Sequence, residues 1–283
     1  MSDARPSPLE ELLECLDLEA LDADLFLGNP GRGEGRLFGG MVAAQAAIAA
    51  MRTVPDDRSL HSLHGYFLRP GRHDVPLRFV VDRIRDGRSF TTRRVKAHQA
   101  GEAIFNISAS FAKPEVGIEH QSEMPAAPPP EDLMDWEDLR AKALGKPGLS
   151  RPGPVEVRLG DPYDLDDLER RYEPRQRNWM RVTGPLPDDP VVHTAMLVYM
   201  SDRTLASTAS RPHGLPWGKR MVASLDHAVW IHHPVKLDGW LLYASESPVA
   251  HAARGLIFAG FFTPDGVRIA SVAQEALVRI PRG

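Results

Sequence analysis

One cysteine stands in 283 residues. Cys15 therefore cannot close an internal disulfide, and no cysteine-based zinc site can be assembled. No run approaches the roughly 18 apolar residues that a membrane span requires. Neither sign of charge prevails: 34 basic residues face 38 acidic ones, a net charge of -4. Nothing in that balance points to nucleic acid or to an anionic membrane surface. The opening MSDARPSPLEELLECL carries acids where a secretory leader needs basic and then apolar residues. The closing IPRG is not a peroxisomal address. The expectation is a cytosolic protein in a reducing compartment.

Apolar content of 42% and charged content of 25% are ordinary for a globular protein. The length allows one large domain or two small ones. The stretch around which the chain is organised is His193–Leu205, HTAMLVYMSDRTL. Ala195–Met200 leaves no polar stripe on a 3.6-residue helix, and a helix apolar all round is a buried one. Asp202 then ends a helix with little access to water, and carboxylates are rarely buried unpaired. It either pairs with Arg203 or water just past the buried turns, or it has a chemical role.

Ahead of that stretch, leucines at 9, 12, 13 and 16 predict an amphipathic helix over Pro8–Leu21. Gly28–Gly40 is glycine-rich but lacks both a GK[ST] ending and G-x-G-x-x-G spacing, so it reads as a loop feeding a helix. That helix, Gly40–Met51, is apolar on most faces, with Gln45 its one polar group. Strands are predicted at His61–Arg69, Leu77–Arg83, Ser89–Ala97 and Ala103–Phe111, with turns at Asp86–Gly87 and Gly101. Lys113–Gly153 is a proline-rich linker, helical at Glu131–Leu144. Past Pro154, strands are predicted at Arg177–Thr183, Arg220–His232, Leu241–Ser245, Ala253–Phe262 and Val267–Val278. Residues 62–70 align with 224–234, 85–97 with 249–261, and 100–111 with 265–276. An internal repeat of roughly 130 residues indicates duplication. Each copy is one buried helix and a strand meander, an α+β class. The expected units are 1–112 and 154–283, joined by the linker 113–153.

Several stretches match a known family in order: RLFGGMVAAQA (36–46), HGYFLRPG (64–71), RDGRSFTTRRV (85–95), PEVGIEHQ (114–121), VEVR (155–158), YMSDRTL (199–205), SLDHAVWIHHP (224–234), WLLYASESP (240–248) and residues 253–279. From about residue 9 to 279 the chain resembles the acyl-CoA thioesterase II family, the TesB-type double-hotdog thioesterases. The resemblance implies two hotdog units in one chain, each a long helix swathed by a curved antiparallel sheet. It implies hydrolysis of fatty acyl-CoA to free acid and CoA, with no cofactor and no metal, and a homodimer or homotetramer. It implies a triad of Asp202, Ser224 and Gln274, with Ser224 where many members have Thr. Met41 stands where members tend to have Gln, and Met41, Val42 and Met196 are expected to line the acyl tunnel.

Such a triad needs no covalent intermediate. Asp202 can accept a water proton as general base. Ser224 and Gln274 can hold that water and Asp202 by hydrogen bonds. Backbone N–H groups at the start of a hotdog helix are natural oxyanion donors. Taken one at a time, Ser224 reads as a strand-edge hydroxyl and Gln274 as an open-face polar residue. Gln45 and Ser110 could assist from the first half.

Other chemistries fit less well. GLSRP (148–152) has proline where a G-x-S-x-G elbow needs glycine, and it falls in the linker. Cys15 reads as buried on the N-terminal helix. His232–His233, and His61 with His64, lack a carboxylate at ligand spacing. Arg93 and Arg94 face opposite sides of a strand, so at most part of the group Arg88, Arg93 and Arg94 meets CoA. Asp226 and His227, adjacent on a strand, cannot form a dyad with each other, although His227 could lie near the site. The hotdog fold also serves enoyl-CoA hydratases, and a non-catalytic acyl-CoA binder is the reading from another class.

Overall fold

The computed structural model describes residues 5–146, 152–161, 163–164, 166–167, 169–215 and 220–280. The GLSRP stretch lies mostly outside them. Helix α1 spans Pro8–Leu16, started by a capping box in which Glu10 N–H donates to Ser7 Oγ at 3.2 Å and Ser7 N–H to Glu10 Oε2 at 2.6 Å. It stops short of Leu21. Asp17 is extended, and strand β1 (Glu19–Asp22) pairs with β2 (Leu25–Gly28), neither of which the periodicity announced.

Helix α2 (Gly39–Met51) follows, then β3 (Ser59–Phe67), β4 (Leu77–Asp86), β5 (Phe90–Gln99) and β6 (Glu102–Ala112). Helix α3 (Trp136–Ala143) begins late in the segment expected to be helical, capped by Asp135 onto the Glu137 N–H at 2.8 Å. The second half comprises β7 (Val155–Leu159), β8 (Arg175–Val182), α4 (Pro190–Ser201), a 3₁₀ segment Leu205–His213, β9 (Met221–Ser224), β10 (Asp226–Ile231), β11 (Leu241–His251), β12 (Arg254–Phe262) and β13 (Arg268–Arg279). No helix among the described residues is long and apolar enough to cross a membrane.

The strands form one antiparallel sheet in the order β1-β2-β4-β5-β6-β3-β10-β13-β12-β11-β8-β7, with β9 on β13. The order is symmetric about the β3/β10 seam. Counted outward, β3 corresponds to β10, β6 to β13, β5 to β12, β4 to β11, β2 to β8 and β1 to β7. In each half the helix enters between the second strand and the seam strand. This is a double hotdog of α+β class.

Helices α2 and α4 lie side by side inside this sheet, which is why neither shows an amphipathic pattern. Residues Gly40–Ala50 of α2 and Ala195–Ser201 of α4 are all buried. Gly40 permits the approach: a Cβ there would sit 2.7 Å from the Tyr199 carbonyl oxygen and 2.6 Å from the Phe38 ring. The Phe38 and Tyr199 rings meet edge to face at 5.0 Å.

Helix α4 starts earlier than expected, at Pro190, where Asp189 caps the Val191 N–H at 2.8 Å. It stops at Ser201 rather than running to Leu205, because Thr204 takes a left-handed φ of 60° and turns the chain into the 3₁₀ segment. For a β-branched residue that conformation is an outlier, of the kind that collects at functional sites.

The predicted strand over Arg220–His232 is two strands separated by a bulge. Ser224 pairs with Ala276 and Ala228 with Ala273, so the chain takes four steps on one side against three on the other. Leu225 N–H donates to Glu275 O at 2.9 Å across the irregularity.

Residues 121–133 run over the outer face of the second-half sheet. Met124, Ala127 and Leu133 pack on Trp179, Leu242 and Phe262. Trp179 Nε1 donates to Pro128 O at 2.7 Å, and Gln121 Nε2 to Gly266 O at 2.7 Å. The substitution Gly40→Ala is expected to cost about 1–3 kcal/mol by overpacking the helix crossing, more than the helix propensity it gains, measured by equilibrium denaturation.

Candidate active site

Four elements of the second half and one of the first converge at the end of α4. Asp202 is the C-cap residue of that helix. Its Oδ1 accepts from Ser224 Oγ at 3.2 Å, and Ser224 Oγ accepts from Gln274 Nε2 at 2.9 Å. Ser224 ends β9, and Gln274 lies buried on β13. The three residues singled out from the sequence are therefore brought into one hydrogen-bonded chain.

The chain continues through His227. Gln274 Oε1 is 2.6 Å from His227 Nδ1, and His227 Nε2 is 2.7 Å from Ser201 Oγ. Ser201, the residue before Asp202, is also tied back to Val198 O at 2.7 Å, and its carbonyl accepts from Tyr243 OH at 2.6 Å. A strict two-residue alternation would put Ser224 and His227 on opposite faces. The bulge between them brings both to Gln274, which is why strand reasoning undervalued His227. Asp226 does face away: it takes His64 Nε2 at 3.0 Å and Glu275 N–H at 2.6 Å.

The first half contributes the N-terminus of α2. Its N-cap residue Phe38 supplies no side-chain cap, and the first amides of a helix have no intrahelical acceptor. The Gly40 N–H hydrogen-bonds to Asp202. A Cβ on Gly39 would lie 2.9 Å from Asp202 Oδ2, so glycine is what lets the carboxylate reach this helix end.

Burial pushes the Asp202 carboxyl above the usual carboxylate range, against the opposing pull of His227, Ser224, the Gly40 N–H and Gln274. Burial pushes the His227 imidazole down, countered by Asp202 and Gln274. Burial thus favours the uncharged form of both groups, and each is the first counterweight to the other's shift.

Asp202 borders two openings that share Ala206 and Val222 with it. One, of about 470 Å³, is lined from both halves, by Leu37, Phe38, Val42, Phe67 and Phe105 among others. The other, of about 350 Å³, is lined by Trp136, Arg140, Thr204, Ser207 and Arg220. Of the three tunnel residues expected, Val42 lines the apolar opening. Met41 and Met196 are buried and do not line it; on a helix enclosed on every side, most apolar side chains meet core.

The remaining candidates are structural. Gln45 Nε2 ties Cys15 O at 2.7 Å to Asn29 O at 2.8 Å. Ser110 bonds His61 at 2.8 Å. Burial pushes the Cys15 thiol up, with Glu14 and Glu11 adding to it, the reverse of what a nucleophile needs. Arg93 is buried and donates to Thr53 O at 3.0 Å and Asp86 at 2.7 Å, whereas Arg94 faces out to Asp82. His232 bonds Ser271 at 2.8 Å. Among the described residues no three His, Cys, Asp or Glu side chains form a metal-binding group.

Two family models match the chain, the acyl-CoA thioesterase N-terminal domain over residues 29–112 and acyl-CoA thioesterase over 169–277. The chain is 40% identical to acyl-coenzyme A thioesterase 8 of Mus musculus, over 94% of this chain and 88% of that one. It is 38% identical to acyl-CoA thioesterase 2 of Haemophilus influenzae, over 96% and 98%. The crystal structure of acyl-CoA thioesterase II TesB2 from Mycobacterium marinum superposes with a TM-score of 0.80 at 44% identity, covering 96% of this chain and 98% of that one. The chain belongs to the TesB-type acyl-CoA thioesterase II family. Its two halves meet at one acid, and the acid carries a thermodynamic signature. A carboxyl whose folded pKa is raised stabilises the fold below the ordinary carboxylate range and loses that contribution as pH rises through the raised value. Asp202→Asn is thus expected to stabilise the fold at neutral pH by roughly 1 kcal/mol. Denaturation midpoints compared across pH should show the gain shrinking toward acid.

Proposed function

We propose that this protein hydrolyses fatty acyl-CoA to the free acid and CoA, with Asp202 as general base and Ser224 and Gln274 as its supports. The observation that carries the reading is the Asp202 carboxylate. It is raised in basicity, bonded by Ser224, which Gln274 bonds in turn, met by the Gly40 N–H at the start of α2, and open to a cavity with apolar walls.

In this reading a water beside Asp202 gives its proton to the carboxylate as its oxygen bonds to the thioester carbonyl carbon. The carbonyl oxygen becomes an oxyanion facing the start of α2, where amide donors and the positive end of the helix favour negative charge. Collapse of the tetrahedral species breaks the C–S bond, and the proton held on Asp202 goes to the departing thiolate. No covalent enzyme intermediate is formed. The acyl chain occupies the opening lined by Val42, Phe67 and Phe105. The rest of the reading comprises two units, 1–112 and 154–283, with the linker 113–153 between them, self-association as a dimer or tetramer, and a cytosolic setting. The hydratase reading would need an Asp–His pair at the openings, and the pair Asp226 forms, with His64 at 3.0 Å, lines neither of them.

Thiol release from acyl-CoAs of graded length tests the proposal. Asp202→Asn, folded by circular dichroism, is expected to lose ~10²–10⁴-fold in kcat. Full activity in that variant would remove Asp202 as the base. Thiol release absent from the wild type, with enoyl-CoA hydration present, would favour the hydratase, and saturable binding alone would favour the binder. The wild-type activity should fall toward acid through an inflection above the usual carboxylate range, because the ionised Asp202 is the active form. Narrowing the apolar opening by Val42→Phe should shift the length preference toward shorter chains. An unchanged profile would put the acyl chain elsewhere.

A further inference from the structure

His227 is fully buried, and both ring nitrogens are engaged. No step of the proposed hydrolysis uses it directly. Its position follows from the bulge: one residue more or less between Ser224 and His227 would turn one of them out of the site.

The hydrogen-bond polarity of the site can be traced from this ring. A neutral imidazole has one N–H. At 2.6 Å from Nδ1 stands Gln274 Oε1, an atom that only accepts, so Nδ1 carries the hydrogen. Nε2 then shares the one Ser201 hydroxyl hydrogen with Val198 O, each 2.7 Å from Ser201 Oγ. With its oxygen held by the ring, the Gln274 amide must turn its NH₂ toward Ser224 Oγ, 2.9 Å away. That donation occupies the Ser224 oxygen, so the Ser224 hydroxyl hydrogen goes to Asp202 Oδ1 at 3.2 Å. Were the amide turned over, its oxygen would claim the Ser224 hydrogen. Ser224 would then face the Asp202 carboxylate with a lone pair, and two acceptors would be left opposed in a buried place.

We propose that His227 is a positioning residue of this site: its Nδ1–H fixes the orientation of the Gln274 amide, and through Gln274 and Ser224 it determines that Asp202 is met by a donor. The inference rests on Asp202 being the base, as proposed above. The charged and titratable groups around the ring are few. Asp202 lies at the end of α4, Asp226 is on β10 itself, His64 is on β3 and the Tyr243 phenol is on β11. Glu275 on β13 is paired outward with Arg254 at 2.9 Å.

The test compares two substitutions. In His227→Asn the amide nitrogen can stand where Nδ1 stood and still donate to Gln274. In His227→Leu nothing can donate. The leucine variant should lose about 10²-fold in kcat, the scale of a misplaced catalytic group, with KM within about threefold. The acid inflection of its pH profile should move upward, because Asp202 has lost a hydrogen bond that favours its ionised form. The asparagine variant should keep most of the activity and the wild-type inflection. A leucine variant as active as the wild type overturns the proposal. So does an asparagine variant as impaired as leucine with neither inflection moved, since that pattern is lost packing.

A measurement on the wild type covers a leucine variant that fails to fold. Nitrogen NMR of histidine-labelled protein, with the His227 signal assigned by its loss in His227→Asn, should show the Nδ1–H tautomer at neutral pH. The Nε2–H tautomer would overturn the proposal. Failure of the general-base reading is separate: it shows as activity retained in Asp202→Asn, whichever tautomer is found.

Discussion

Everything at this site depends on one carboxylate placed between two helix ends. Asp202 follows the last turn of α4, where the negative end of the helix dipole repels negative charge. Its charged form is favoured there by the Gly40 N–H of α2, from the other half of the chain, and by Ser224 and Gln274, which donate toward it. Neither half holds the charge alone. The close helix crossing at Gly40, the glycine at 39 and the uncapped start of α2 all serve the same contact. A Cβ at either glycine would push the donor end of one helix away from the acid at the end of the other.

The second constraint is the bulge after Ser224. A regular strand offers every second side chain to the interior, which would give Gln274 either Ser224 or His227 but not both. One extra residue lets β9 and β10 present both to the same amide. The polar chain that results, from Ser201 through His227, Gln274 and Ser224 to Asp202, is closed at each link, as a buried polar network must be if it is not to cost more than the apolar packing it displaces. The left-handed turn at Thr204 completes the geometry, ending the helix at the acid and leading the chain away along the wall of the second opening.

Much of the fold was legible in the sequence because its signals are local. The two helices without a polar stripe, the strand periodicity and the internal repeat each reflect burial that a short window records. Boundaries were less legible. The early stop of α1, the end of α4 and the broken strand at Leu225 come from pairing with β2, from the Thr204 backbone and from registry with β13. Each partner lies far away in sequence. Arg93 reads from its neighbours as part of a basic group, yet it is buried beneath the end of α2, because the strand alternation there turns it inward.

Residue types and order by themselves determined the class of this protein: a duplicated α+β chain with one cysteine, two buried helices, and an acid, a hydroxyl and an amide in separate motifs of a thioesterase family. Only the tertiary structure decided that Asp202 meets the start of a helix more than 150 residues earlier in the chain, that His227 rather than Asp226 turns toward Gln274, and that Val42 but neither Met41 nor Met196 faces an opening. The reason is physical. Composition and periodicity report whether a side chain leaves water, whereas which group it then meets is set by helix crossing, sheet registry and a single-residue bulge, and these are properties of the assembled sheet.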